Sequence, residues 1–245
     1  VVQTTYESND EMLAKLVASK KGVYDIDDTY LDGAYDPGNE YTIPYMGTVV
    51  LTIGNKKMLD DLGVTLNTID DLKNPALVDN VIIMDDNEGI VSLGLCGLGY
   101  DPLTNNQDEI GQVGEYMMGL NDNIKAYPTT ADGRTMLARN EVAVGHIYGG
   151  DAAQAMEQNE DLEIVLKDEP VSLSVDCFVL LKGSKHKKEA ELFIDFLLRP
   201  EISAMLTEEF PYISTNEAAK AELSEEILNN PACFLPEDLK DMVYF

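Results

Sequence analysis

The chain has 245 residues, 44% of them hydrophobic, and a formal charge of −28 from 45 acidic against 17 basic side chains. That length allows one or two domains, and that apolar fraction supplies a packed core, which excludes wholesale disorder. The charge excludes a nucleic-acid or anionic-membrane surface, since both recruit Lys and Arg; it leaves either plain solubility or a field that attracts cations.

No run approaches the roughly 18 apolar residues of a membrane span. The three cysteines, Cys96, Cys177 and Cys233, show no paired spacing. Neither a disulfide framework nor a zinc site is expected, and buried free thiols are the default reading.

Residues 1–6 read as a strand with no basic-then-apolar leader before it, so any targeting segment is expected to have been removed already. Ser8 and Glu11 form a capping box for a helix carrying Met12, Leu13, Leu16 and Val17, closed at Gly22. Residues 23–26 alternate as a second strand, and a strand, helix, strand order predicts a parallel sheet. YDPGNEYTIPYMGT, residues 35–48, is a Pro-Gly turn followed by an extended segment, with Tyr41, Ile43 and Tyr45 alternating along it.

Residues 48–53 predict a buried strand. Short helices follow at 60–62 and 68–72, then a buried strand at 81–84 and a buried helix at 90–98. Helices are expected at 107–120, 130–139 and 151–158, with strands at 142–148, 162–166 and 175–181. The spacing predicts an amphipathic helix over 185–198, with Ala190, Phe193, Ile194 and Leu197 on one face. Helical pieces at 202–208, 217–223 and 225–228 complete an α/β pattern without an internal repeat.

Five features could carry chemistry. Gly94-Leu-Cys-Gly-Leu-Gly99 lacks the dinucleotide spacing and follows Asp85, Asp86 and Glu88, so it is read as helix packing. His146 and His186 lie far apart in sequence and near no serine elbow, which leaves a catalytic triad improbable. Asp85-Asp86-Asn87-Glu88 follows a buried strand: these acids either cap the next helix or face a ligand at the strand's carboxyl end, and they do not match a calcium loop. Asp176, in SLSVDCFVLL, is expected at the edge of a buried strand, partnered by a structural hydrogen bond or by a cation. Tyr148, at a strand end before Gly149-Gly150, either packs or lines a cation site.

Several segments then line up in one order: TYESNDEMLAKL, YDPGNEYTIPY, LGYDP, VGHIYGGDAAQA, VDCFVLLKGSKHKKEAELFIDFLLRPE and PYISTNEAAK. Together they resemble the bacterial spermidine/putrescine-binding proteins, the extracytoplasmic receptors of polyamine ABC transporters. The resemblance implies a two-lobed periplasmic-binding-protein-like α/β fold of type II, with a ligand cleft between lobes joined by hinge strands. It places lobe one at 1–46 plus 177–216 and lobe two at 47–176 plus 217–245. It implies that Asp176 and Asp86 pair with ligand amines, and that Tyr148, Tyr212 and Tyr45 form aromatic walls. It further implies a membrane permease as partner, a monomeric receptor outside the cytoplasm, no cofactor or metal, no nucleic acid and no catalysis.

The departures from that pattern are specific. The family's aromatic box is rich in tryptophan, and this chain has none. PYMG replaces PY-x-W-G, Ser174 replaces a tryptophan, and Gly89 stands where an acid is expected. The family's first strand and last helix have no counterpart here, and the segment between Ile26 and the DPGN turn, only residues 27–34, is far shorter than the family's, with the gap placed at Ile26–Asp27. Omitted segments of a longer chain are therefore expected. The alternatives are the same fold serving another solute and, in another class, a hydrolase or transferase using Cys177.

Overall fold

The computed structural model describes residues 26–27, 30–31, 36–167, 169–230, 233–234 and 243–244. The strand and capping-box helix expected before Ile26 lie outside these residues. The described chain divides into two compact units. One takes its residues from Val1–Thr48 and Ser174–Phe234, the other from Val49–Leu173 and Leu235–Tyr244.

The DPGN turn sets up the first unit's entry strand. Gly38 (φ 79°) and Asn39 (φ 51°) take the left-handed conformation that turns the chain. The buried Asp36 carboxylate accepts from the N–H groups of Tyr41 and Thr42 at 2.9 and 2.8 Å and from the Thr42 hydroxyl at 2.8 Å. So anchored, β1 (Thr42–Asn55) is longer than the sequence suggests, because the extended tyrosine segment and the apolar strand are one element. It passes from the first unit to the second at Thr48–Val49.

In the second unit, α1 (Lys56–Leu62) starts on an Asn55 cap and ends at Gly63 (φ 66°). The expected helix at 68–72 is a 3-10 turn, Ile69–Lys73. Then come β2 (Val81–Ile83), α2 (Asn87–Gly97), α3 (Gln107–Met118), β3 (Ile124–Ala126), α4 (Thr130–Ala138), β4 (Val144–Tyr148), α5 (Gly149–Gln158) and β5 (Leu162–Ile164). β6 (Val171–Val179) passes back to the first unit at Leu173–Ser174.

The sheet is mixed. β2 lies parallel between β3 and β4, with Val81 opposite Ile124 and Ile83 opposite His146. β1 runs antiparallel to β4, with Val50 opposite Tyr148 and Thr52 opposite His146, and antiparallel to β5. The parallel pair expected of residues 1–6 and 23–26 lies almost wholly outside the described residues; the directions seen here follow from where connections return the chain, which local pattern does not encode.

One face of this sheet buries Val81, Ile83 and Val144 against Leu93, Leu95, Val113, Tyr116 and Met117 of α2 and α3. The glycine run serves that packing, as its sequence suggests. A Cβ on Gly94 would sit 2.6 Å from Val113 Cγ1, and one on Gly97 would overlap the Tyr116 hydroxyl. On the other face a Cβ at Gly145 would meet Leu137 Cδ1 at 2.6 Å, so glycine lets α4 approach β4 closely.

In the first unit, α6 (Lys187–Leu197) and α7 (Pro200–Glu209) lead to β7 (Ile213–Ser214), which pairs antiparallel with Met46 and Gly47 of β1. α8 (Glu225–Leu228) follows. β8 (Val243–Tyr244), of the second unit, pairs parallel with Val171 and Ser172 of β6. Ile26, Ile43, Ile194 and Leu198 form a core cluster with Tyr30, Leu31 and Phe178 against it. The expected inward face of α6 is corrected. Ile194 and Leu198 point inward one turn apart, which rotates Phe193 outward to 59% exposure. Asn216 ties the cluster, bridging Ile26 and donating from Nδ2 to the Leu198 carbonyl at 2.7 Å.

Candidate functional site

Each unit carries its own group of carboxylate and aromatic side chains. In the first, β1 and β6 place Tyr45 against Phe178, with ring centroids 4.4 Å apart and planes tilted by 43°. Burial, and then the nearby Asp176 carboxylate, raise the Tyr45 phenol above its ordinary value. Tyr45, Phe178 and Asp176 thus form one neighbourhood.

Asp176 corrects its expectation in one respect: it is exposed, not buried. β6 changes from an alternating buried pattern at Val171–Leu173 to a largely accessible one beyond Ser174. A carboxylate there is solvated and needs no structural partner, which removes the burial argument and leaves it available to a solute. Cys177, beside it, donates its thiol to the Val175 carbonyl at 3.7 Å. Tyr212 stands immediately before Ile213, whose β1 partner is Gly47, so it shares the β7 edge that flanks Met46 and Gly47.

In the second unit the parallel strands β3, β2 and β4 end side by side. Ligands of open α/β sheets bind at such carboxyl ends. Asp85 and Asp86 follow the middle strand, Tyr148 ends β4, and Tyr127 follows β3. The half-buried Asp86 caps α2, accepting from the Gly89 N–H at 2.8 Å. The capping alternative is therefore real, and it engages Oδ2. Gly89 is buried; a Cβ there would meet Met84 Cε at 2.8 Å and Asp86 Oδ2 at 3.0 Å. A side chain at position 89 would therefore displace the Met84 methyl and the capping Asp86 carboxylate.

His146, one pleat before Tyr148 on the same face, is a group sequence reasoning set aside. Its Nδ1 lies 3.0 Å from the Thr52 hydroxyl. Burial pushes the imidazole down to about 4, with the Asp86 carboxylate pulling it back up, so it is neutral at pH 7. His146, Thr52 and Glu169 border a cavity of about 30 Å³ otherwise walled by apolar residues including Ile69, Leu93 and Leu166. That is room for little more than one water. Phe178 and Tyr127 were also missed. The only signal for Phe178 was its place two residues after Asp176, on the same strand face.

Among the described residues no cluster of His, Cys, Asp and Glu could hold a metal ion, and no helix is long and apolar enough to cross a membrane. Cys96, Cys177 and Cys233 are in no disulfide, and burial pushes the Cys96 thiol up to about 11, away from nucleophilic use.

Comparison with known proteins gives this geometry a context. The chain is similar to the spermidine/putrescine-binding periplasmic protein of Salmonella typhimurium, 26% identical over 265 residues, covering 96% of this chain and 75% of that one. It is similar to the putrescine-binding periplasmic protein SpuD of Pseudomonas aeruginosa, 26% identical over 291 residues, covering 100% of this chain and 79% of that one. Among solved structures, the spermidine/putrescine ABC transporter substrate-binding protein PotD of Streptococcus pneumoniae superposes with a TM-score of 0.78 at 26% identity, covering 98% of this chain and 72% of that one. Both sequence alignments are longer than this 245-residue chain, so the relatives hold residues inside the matched span that it lacks. The family model for bacterial extracellular solute-binding proteins matches residues 3–235, and the chain belongs to that family.

Proposed function

We propose that this protein captures a polyamine of the putrescine or spermidine class outside the cytoplasm and delivers it to the permease of an ABC transporter. The observation that carries this is an acid and aromatics in each unit: Asp176 near Tyr45, whose ring meets Phe178, and Asp86 after β2, the strand that pairs with β4, which Tyr148 ends. A polyamine is a flexible methylene chain with protonated amines. Carboxylates answer the amines, and aromatic faces answer both the methylenes and the cations. We assign one ligand amine to each unit's carboxylate, with Tyr212 adding to the first unit's aromatics. The two compact units are taken as the two lobes of the family.

The charge of −28 supports a cationic solute by raising its local concentration. The similarity to named polyamine receptors supports the same class. In this reading the protein is a monomeric binder rather than an enzyme and has no nucleic-acid partner. Cys177, held by its own strand's carbonyl, has no part in it.

The absence of tryptophan and the glycine at position 89 favour one specific variant of this reading, a small diamine over a longer polyamine, because one expected carboxylate is missing. Titration calorimetry with putrescine, cadaverine and spermidine tests it. Binding tightest to a diamine is expected; no heat with any amine would overturn the assignment.

A further inference from the structure

The order of strands in the second unit brings together residues that sequence separates by dozens of positions. β2 lies between β3 and β4, all three parallel, so their carboxyl ends follow one another along one sheet edge. Neighbouring strands are spaced by about 4.8 Å, so the outer two stand about 10 Å apart. Along that edge the chain presents Tyr127 after β3, Asp85 and Asp86 after β2, and Tyr148 at the end of β4. The pairing continues past the strands: the Asp85 N–H donates to the Pro128 carbonyl at 3.0 Å, which holds the Tyr127–Pro128 segment beside the acids.

Tyr127 is unusual for an aromatic. It is 43% exposed at the end of a three-residue strand. Pro128 fixes the backbone that follows it, and a Cβ on Gly133 of α4 would lie 3.3 Å from Pro128 Cγ, so the segment packs on the helix while the tyrosine remains accessible. An exposed aromatic on a segment whose backbone pairs with that of Asp85 gains nothing as core. It is well suited to an organic cation, which would be held by charge in the middle and by ring faces at the sides.

We propose that Tyr127 is a specificity-determining ligand contact. With Tyr148 it flanks the Asp85–Asp86 acids and supplies, in a chain without tryptophan, the aromatic surface for an alkylammonium group. This rests on the polyamine reading of the same site. Asp85 is exposed, so the acid stretch at this edge presents a second carboxylate beside the one that caps α2. Tyrosine at two positions, in place of a larger indole at one, selects a short methylene chain with a primary ammonium over a bulkier or quaternary amine.

The test uses the full chain and calorimetric titration with putrescine. Tyr127→Ala is expected to weaken binding about fivefold, the size of a partly exposed cation–π contact, and Tyr127→Phe to leave it unchanged because the ring face is kept. Tyr127→Leu, apolar but without π-electrons, is expected to match Tyr127→Ala. Since the chain has no tryptophan, its intrinsic fluorescence comes from tyrosine, and putrescine is expected to change it in wild type more than in Tyr127→Phe. Wild type failing to bind any amine would sink the polyamine reading itself. Wild type binding putrescine with an unchanged Tyr127→Ala affinity would sink only the role of Tyr127. Equal thermal stability of the variants and wild type shows that any loss arises at the site.

Discussion

Tyr45 and Phe178 meet with ring planes tilted by 43° across two strands, with centroids 4.4 Å apart, and each strand is one that carries the chain between the two compact units. Such a pair contributes about 0.5–1.5 kcal/mol beyond simple burial. A double-mutant cycle of Tyr45→Ala and Phe178→Ala, followed by urea denaturation without ligand, should give a coupling energy in that range. Strictly additive effects would mean that the rings merely share a neighbourhood.

Asp176 is exposed, so its removal should be milder than loss of a buried ion-pair partner. Asp176→Asn is expected to weaken putrescine binding by about 1 kcal/mol, and by less at higher salt because the charge is screened. The measurement is calorimetry at two ionic strengths. A salt-independent loss would show that Asp176 acts through structure instead.

Asp86 has two roles that substitution can separate. Asp86→Asn keeps an oxygen for the Gly89 N–H, so the α2 cap and the melting temperature should be nearly unchanged, while amine affinity falls by about 1.5–3 kcal/mol. Asp86→Ala should lose the same affinity and, in addition, about 1 kcal/mol of stability. If Asp86→Asn bound putrescine like wild type, the carboxylate would be a cap only.

His146 makes stability depend on pH. Its folded-state value, about 4, lies below the ordinary 6.5, so the unfolded chain binds the extra proton first. The stabilisation is fully present above pH 6.5, falls away as pH drops toward 4, and amounts to roughly 3 kcal/mol at most. Urea midpoints of wild type and His146→Gln, compared between pH 7 and pH 4.5, should show the variant losing less. Parallel losses would place the pH dependence on other groups.

Gly97 packs under Tyr116, whose hydroxyl donates to Asp70 Oδ1 at 2.9 Å while Lys73 Nζ lies 3.6 Å above the ring. Gly97→Ala is therefore expected to destabilise by roughly 1–3 kcal/mol, because the ring must move and that network must break. Pairing it with Tyr116→Ala should recover part of the loss in thermal melts. A neutral Gly97→Ala would show that the helices have slack.

The helices of the second unit were legible because their signals are local. Asp86, Asn106 and Thr129 each cap the helix that follows, and Gly63 closes α1 in the left-handed conformation. α6 was placed well but turned wrongly: Phe193 competes with Ile194 on hydrophobicity alone, and only packing against Ile43 and Ile26 decides between them. β3, β7 and β8, at three, two and two residues, are too short for a periodic signal.

By itself the sequence determined the α/β class, the approximate places of most helices, the glycine packing run, the acidic field and the candidate acids Asp86 and Asp176, since all of these reside in residue type and spacing. Tertiary structure alone decided that β2 lies between β3 and β4, that Asp176 is exposed, that His146 is neutral against Thr52, and that the segment after β3 pairs with Asp85 after β2. The physical reason is that strand order and burial come from contacts between residues distant in sequence. A side chain's own chemistry states what it could bind, but only its neighbours across the sheet determine whether it is free to do so.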